Sequence, residues 1–141
     1  MARRRYRRLL PRLRPGRPGA APEALATLRD ARQRLLDLDR ADLRMAARAT
    51  AAIGRVQDHL GDAEEAQRTL ADAVRELSAQ DATHYAAQAR VELADIAERT
   101  GGDPGTVREH LTEALAVYEE GGSPLAEELR ARLDRMGDAG R

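Results

Sequence analysis

An Ala–Leu–Ala triplet spaced at +4 and +3 recurs along this chain, and it limits what the chain can fold into more than any other feature. Ala66, Leu70 and Ala73 carry it within "LGDAEEAQRTLADAV", residues 60–74. Ala24, Leu28 and Ala31 show it 42 positions earlier; Val107, Leu111 and Ala114 show it 41 positions later, with valine in the first place. Steps of three and four residues put all three side chains on one face of an α-helix. Small residues at the outer places let neighbouring helices close in, and the leucine fills the groove between them. The turns return as well: "LGD" at 60–62 matches "TGGD" at 100–103, and Ile53-Gly54 upstream corresponds to Leu93-Ala94. A period of this size marks stacked helical units, none able to bury its apolar face alone.

The amino-acid vocabulary agrees. The 141 residues make one domain's worth of chain, enough to bury a core. There is no Phe or Trp, and Tyr6, Tyr85 and Tyr118 are the only aromatic residues. The apolar content is therefore mostly Ala, Leu and Val, which suits close-packed helices and suits a sheet poorly. With no cysteine, a disulfide framework, a thiolate zinc site and a cysteine nucleophile are all excluded. All 24 basic residues are arginine, which together with abundant Ala, Gly and Asp reads as the codon bias of a GC-rich bacterial genome.

The net charge of zero conceals a split. Residues 1–21 hold eight arginines and no acid, and the other 120 hold 16 arginines against 24 acids. Pro11, Pro15, Gly16, Pro18, Gly19 and Pro22 interrupt the basic segment, so residues 1–22 read as a disordered Arg/Pro-rich arm. Only Leu9 and Leu10 stand together before Pro11, short of the roughly 7–15 apolar residues of an export signal. No stretch approaches the roughly 18 of a membrane span. The expectation is a soluble, cytoplasmic protein with no membrane contact.

From Pro22 onward the pattern is helical. The spacing predicts helices over about 23–39, 41–60, 63–79, 82–100, 104–120 and 124–136, with 138–141 as a disordered tail. Leu25, Leu28, Leu35 and Leu38, with Ala31, form the apolar stripe of the first. Asp62 is the expected N-cap of the third, with Glu65 completing a variant capping box. Asp103-Pro104 and Ser123-Pro124 open the fifth and sixth, while Gly61, Gly101-Gly102 and Gly121-Gly122 end the helices before them. No strand pattern is present, so the fold class is all-α.

The segment "AAIG…HLGDAEEAQRTLADAV" resembles the tetratricopeptide repeat, with Ile53, Gly54, Gly61, Asp62, Ala66, Leu70 and Ala73 at the family's positions. A second copy matches at Leu93, Ala94, Asp103, Leu111 and Ala114, with valine at 107 where alanine is usual. Two departures stand out. The family's first-helix aromatics are replaced by Thr50 and Gln57, and the period is longer than the usual one. Longer periods are familiar in the C-terminal arrays of actinobacterial multidomain transcriptional regulators, and "EHLTEALAVYEEGGSPLAEELRARL" is similar to the last repeat and cap of such an array. The resemblance, over residues 23–137, implies a short right-handed helical-hairpin solenoid (TPR-like) of about six helices. Helix 23–39 would be half a repeat, 41–79 and 82–120 full repeats, and 124–136 a cap with a polar surface of Glu127, Glu128, Arg130, Arg132, Asp134 and Arg135.

Chemistry is scarce. His59, His84 and His110 have no second histidine at ligand spacing. Asp58-His59 and Glu109-His110 are neighbours whose side chains diverge by about 100° on a helix. Neither Ser78 nor Ser123 sits in a nucleophile elbow. "GGDPG" at 101–105 lacks the Lys-Ser/Thr of a phosphate loop, and Pro104 removes an amide. No enzyme activity, metal or cofactor is expected.

The resemblance places partner binding on the concave face of the first helices. The groove-facing positions there are Arg48, Arg55 and Asp58 in one repeat and Gln88, Asp95 and Glu98 in the next. The leading expectation is thus a non-enzymatic protein–protein interaction module that docks a peptide or a helical partner. One alternative is the C-terminal sensor or oligomerisation fragment of a bacterial transcriptional regulator. An array of fewer than three full repeats is also expected to self-associate through the exposed face of helix 23–39 into a homo-oligomer. Another is a nucleic-acid-associated protein whose Arg3, Arg4, Arg5, Arg7 and Arg8 contact phosphates non-specifically and with strong salt dependence.

Overall fold

The computed structural model describes residues 20–139. It contains six α-helices and, among the described residues, no strand: α1 (Ala20–Leu36), α2 (Leu43–His59), α3 (Ala63–Ala79), α4 (Thr83–Arg99), α5 (Pro104–Glu120) and α6 (Leu125–Ala139). Each helix packs on the helices before and after it in the chain, and the one further pairing among the described residues is α2 with α4. The fold is all-α, a succession of helical hairpins, as the sequence predicts.

The recurring triplet proves to be a quartet. α1 buries Ala24, Leu28, Ala31 and Leu35; α3 buries Ala66, Leu70, Ala73 and Leu77; α5 buries Val107, Leu111, Ala114 and Tyr118. The other three helices run in their own register: Ala46, Ala86 and Ala126 are all buried and stand 40 residues apart in α2, α4 and α6. The α3-to-α5 offset is 41 because the turn at 100–103 holds one residue more than the turn at 60–62. Leu70, Leu77 and Leu111 have no exposed surface, each contributing about 1.5–3 kcal/mol from removal of apolar area from water.

Gly54 of α2 lies directly against Leu70 of α3. A Cβ built there would lie 2.7 Å from Leu70 Cγ, so any side chain would have to displace a leucine with nowhere to go. Ala94 takes the same place in α4, fully buried. The two positions that replace the family's aromatics are buried too. Thr50 donates to Ala46 O (3.1 Å) and accepts from Arg32 Nε (2.9 Å), whose Nη2 reaches Glu76 Oε1 at 3.0 Å. Gln57 is buried with Oε1 lacking a partner.

Several boundaries differ from expectation. α1 starts at Ala20, so residues 20–22 belong to a helix rather than to a disordered arm. Pro22 falls in its first turn, where amides have no helical acceptor to lose. α1 stops at Leu36, before the expected 39, and Leu38 leaves the apolar stripe for the surface, 53% exposed. Asp42 caps α2, accepting from Met45 N at 2.9 Å, which moves that helix's start from 41 to 43. α6 runs to Ala139, beyond the expected 136 and into the segment read as a tail.

The caps at Asp62, Asp103 and Ser123 form, with bonds from Glu65 N, Gly105 N and Leu125 N. The reciprocal half of the capping box does not: Glu65 pairs with Arg68, because Asp62 N already donates to Gln57 O at 3.0 Å in the turn that closes α2. That turn needs a left-handed residue, supplied by Gly61 at φ 87°. The corresponding place after α3 is held by Asp81 at φ 54°, the one non-glycine residue in this region among those described.

Candidate functional site

The first helix of each hairpin, α2, α4 and then α6, forms a wall, and the second helices form the floors between them. Two grooves result. The first, about 200 Å³, has Arg48, Ala51, Ala52 and Arg55 of α2 on one side, Tyr85 and Gln88 of α4 on the other, and Leu77 of α3 below. The second, about 400 Å³, has Gln88, Val91 and Glu92 of α4 facing Leu125, Glu128, Leu129, Arg132 and Arg135 of α6, over Tyr118 of α5.

The linings correspond in the 40-residue register. Arg48 gives way to Gln88, Ala51 to Val91, Ala52 to Glu92, Tyr85 to Leu125, and Gln88 to Glu128. Leu77 gives way to Tyr118 at the fourth place of the buried quartet. In the first groove the Arg48 guanidinium lies 4.4 Å from the centre of the Tyr85 ring, a cation–π contact across its mouth. The second groove has leucine at the tyrosine position and glutamine at the arginine position, so nothing stacks across it.

Ion pairs tie the walls together and also follow the register, with inverted sign. Arg55 Nε donates to Glu92 Oε1 at 2.7 Å between α2 and α4. Forty residues on, Arg132 donates from Nη1 to Asp95 Oδ1 and from Nη2 to Glu98 Oε2, both at 2.6 Å, between α6 and α4. Arg99 of α4 also pairs with Asp58 of α2. Burial would lower the Arg132 pKa, but hydrogen bonds to Glu98 and Asp95 outweigh it and raise it. Burial raises the Glu92 pKa in spite of Arg55, because only Oε1 meets the guanidinium and Oε2 is buried without a partner. Tyr118 is raised by its own burial and by the Glu92 charge.

Of the residues expected to face a partner, Arg48, Arg55 and Gln88 line the first groove, and Gln88 alone is shared with the second. Asp58, Asp95 and Glu98 do not line either groove; arginines of the neighbouring first helices hold them in ion pairs. The expected cap α6 exposes Glu127, Glu128, Arg130, Asp134 and Arg135. Arg132 departs from that reading, as it is largely covered and bonded to α4. Arg3, Arg4, Arg5, Arg7 and Arg8 lie outside the described residues.

Tyr118, Glu92, Leu125 and Leu129 were not anticipated. The signal for Tyr118 was present, 41 residues after Leu77 on the same buried stripe. His59 and His84 are exposed, and His110 is half-buried with a pKa lowered chiefly by that burial. No helix among the described residues is long and apolar enough to cross a membrane. No family model, curated protein or solved structure matches the chain.

Proposed function

We propose that this protein is a non-enzymatic binding module: a short tetratricopeptide-like array that docks a segment of another protein across α2, α4 and α6. The observation that carries the reading is the α4–α6 groove. It repeats the frame of the α2–α4 groove at a 40-residue offset, has about twice the volume, and lacks the Arg48–Tyr85 contact across its mouth. Its lining joins Val91, Tyr118, Leu125 and Leu129 with five polar or charged side chains, Gln88, Glu92, Glu128, Arg132 and Arg135, a mixture that suits a recognition cleft. Ion pairs already engage Asp95, Glu98 and Arg132, so affinity would come mainly from apolar side chains entering the groove, with the exposed Glu128 and Arg135 on its wall left to meet polar groups of a partner.

The test is affinity capture from the lysate of a GC-rich bacterium, after nuclease treatment, with the wild-type chain beside Leu125→Glu. Leu125 is 47% exposed at the groove mouth, so the change puts a charge in the groove with little effect on the fold. A protein retained by the wild type and lost with the variant supports the reading. Equal retention by both places binding elsewhere and overturns it.

A further inference from the structure

The first groove is smaller than the second and differently charged. Arg48 and Arg55 line it and no acid does, although residues 22–141 as a whole hold 16 arginines against 24 acids. Glu92 meets Arg55 from outside that lining. No carboxylate among the described residues meets Arg48. Arg29, Arg40, Arg44, Arg108 and Arg135 also lack one there, but all of these are exposed, whereas Arg48 is half-buried. Partial burial strips water from a guanidinium, and an anion is its best replacement.

The contact with Tyr85 does not meet that need. The ring, 4.4 Å from the guanidinium carbon, engages the face of the group, while its hydrogen bonds leave from the edge. None of the Arg48 nitrogens is sealed from solvent without a partner. The exposed Gln88 amide on the opposite wall adds a neutral donor. Ala51, Ala52 and Leu77 give the groove an apolar surface. At about 200 Å³ the space falls short of the roughly 300–1,000 Å³ of drug-sized sites, which limits the occupant to a small molecule.

We propose that the first groove binds a small organic anion, its oxyanion head on the N–H edge of Arg48 and its apolar body against Ala51, Ala52 and Leu77. The second groove does not offer the same site. Gln88 stands there in the place of Arg48, Leu125 in the place of Tyr85, and Glu92 and Glu128 share the lining with its arginines. The anion site is separate from partner docking between α4 and α6 and does not depend on it.

The test is a titration of the full chain, followed by NMR at the Arg48 Nε–H and at the Ala51 and Ala52 methyl groups. Benzoate supplies an oxyanion on an apolar ring, phenyl phosphate a similar body with a different head, and benzamide the ring without the charge. Saturable shifts with a Kd of about 1 mM are expected for the better of the two anions. Benzamide should bind at least about tenfold more weakly. Arg48→Gln, which installs the residue that the second groove carries, should weaken anion binding at least about tenfold. Gln88→Glu gives the pocket an acid of its own and should do the same; Gln88 is exposed, so this change leaves the fold in place. Whichever anion binds more tightly identifies the preferred head as carboxylate or phosphate. Shifts that saturate for neither anion, benzamide binding as tightly as the anions, or binding that both variants keep would overturn the proposal.

Discussion

The two grooves are built on one frame and differ at a handful of positions, and on the proposed function those positions set which groove takes a partner. In the first, Ala51 and Ala52 keep the α2 wall low, Leu77 is fully buried in the floor, and Arg48 stacks on Tyr85 across the mouth. In the second, Val91 and Glu92 replace the alanines, Tyr118 replaces the leucine, and Gln88 and Leu125 stand where the stacking pair would be. The quartets below are buried in both. The helical hairpins thus keep their packing residues constant while a few wall positions close the mouth of one groove with a stacked pair and leave the next without it.

If the frame is shared, its central leucines should be equivalent. Leu70→Ala and Leu111→Ala are each expected to lower unfolding stability by about 2–5 kcal/mol, read by urea denaturation. Values outside that range for one of them alone would break the equivalence. A sharper contrast lies at the small position that each leucine meets. Gly54→Ala drives a Cβ into Leu70, and an overpacking penalty of about 1–3 kcal/mol outweighs the gain of about 1 kcal/mol in helix propensity. The loss should vanish in a Leu70→Ala background. Ala94→Gly, at the matching place, should simply cost about 1 kcal/mol with no such rescue.

The helix ends differ in the same way. α2 and α5 are followed by Gly61 and Gly122 with positive φ, and α3 by Asp81. Asp81→Gly removes the strain of a left-handed Asp and is expected to raise stability by about 1 kcal/mol, seen as a higher thermal midpoint. Gly61→Asp should lower it by a similar amount.

The smallest expected effect belongs to Glu92, which has no titrating counterpart at Ala52. Its folded-state pKa is raised above 4.5 by burial, so the native state keeps this proton longer than the unfolded chain does. Its contribution is therefore present below pH 4.5 and lost as pH rises through the folded value. Compared with Glu92→Gln, the wild type should lose stability across that window. A wild type that gains stability there relative to the variant would show that Arg55 outweighs burial.

Much of the frame was legible because it depends on spacing and helix chemistry. The triplet at 66, 70 and 73, the caps at Asp62, Asp103 and Ser123, and the stop at Gly61 are local signals that tertiary packing reinforced. The site was far less legible. Counting around a helix places Asp58, Asp95 and Glu98 on the expected face, but not the arginines 34 to 41 residues away that engage them. Tyr118 was readable as a fourth stripe residue, whereas the orphaned oxygen of Glu92 depends on tertiary packing around α4. Leu38 failed for a local reason: α1 ends at Leu36, and residues 37–40 turn towards the cap that Asp42 makes for α2.

Photo-crosslinking from the two grooves of the full chain tests the central contrast most directly. Benzoylphenylalanine is placed at position 125 in one variant and at position 85 in another, and each is irradiated in bacterial lysate. The account predicts adducts with another protein from position 125 and not from position 85. Adducts from position 85 alone, or at equal yield from both, would contradict it.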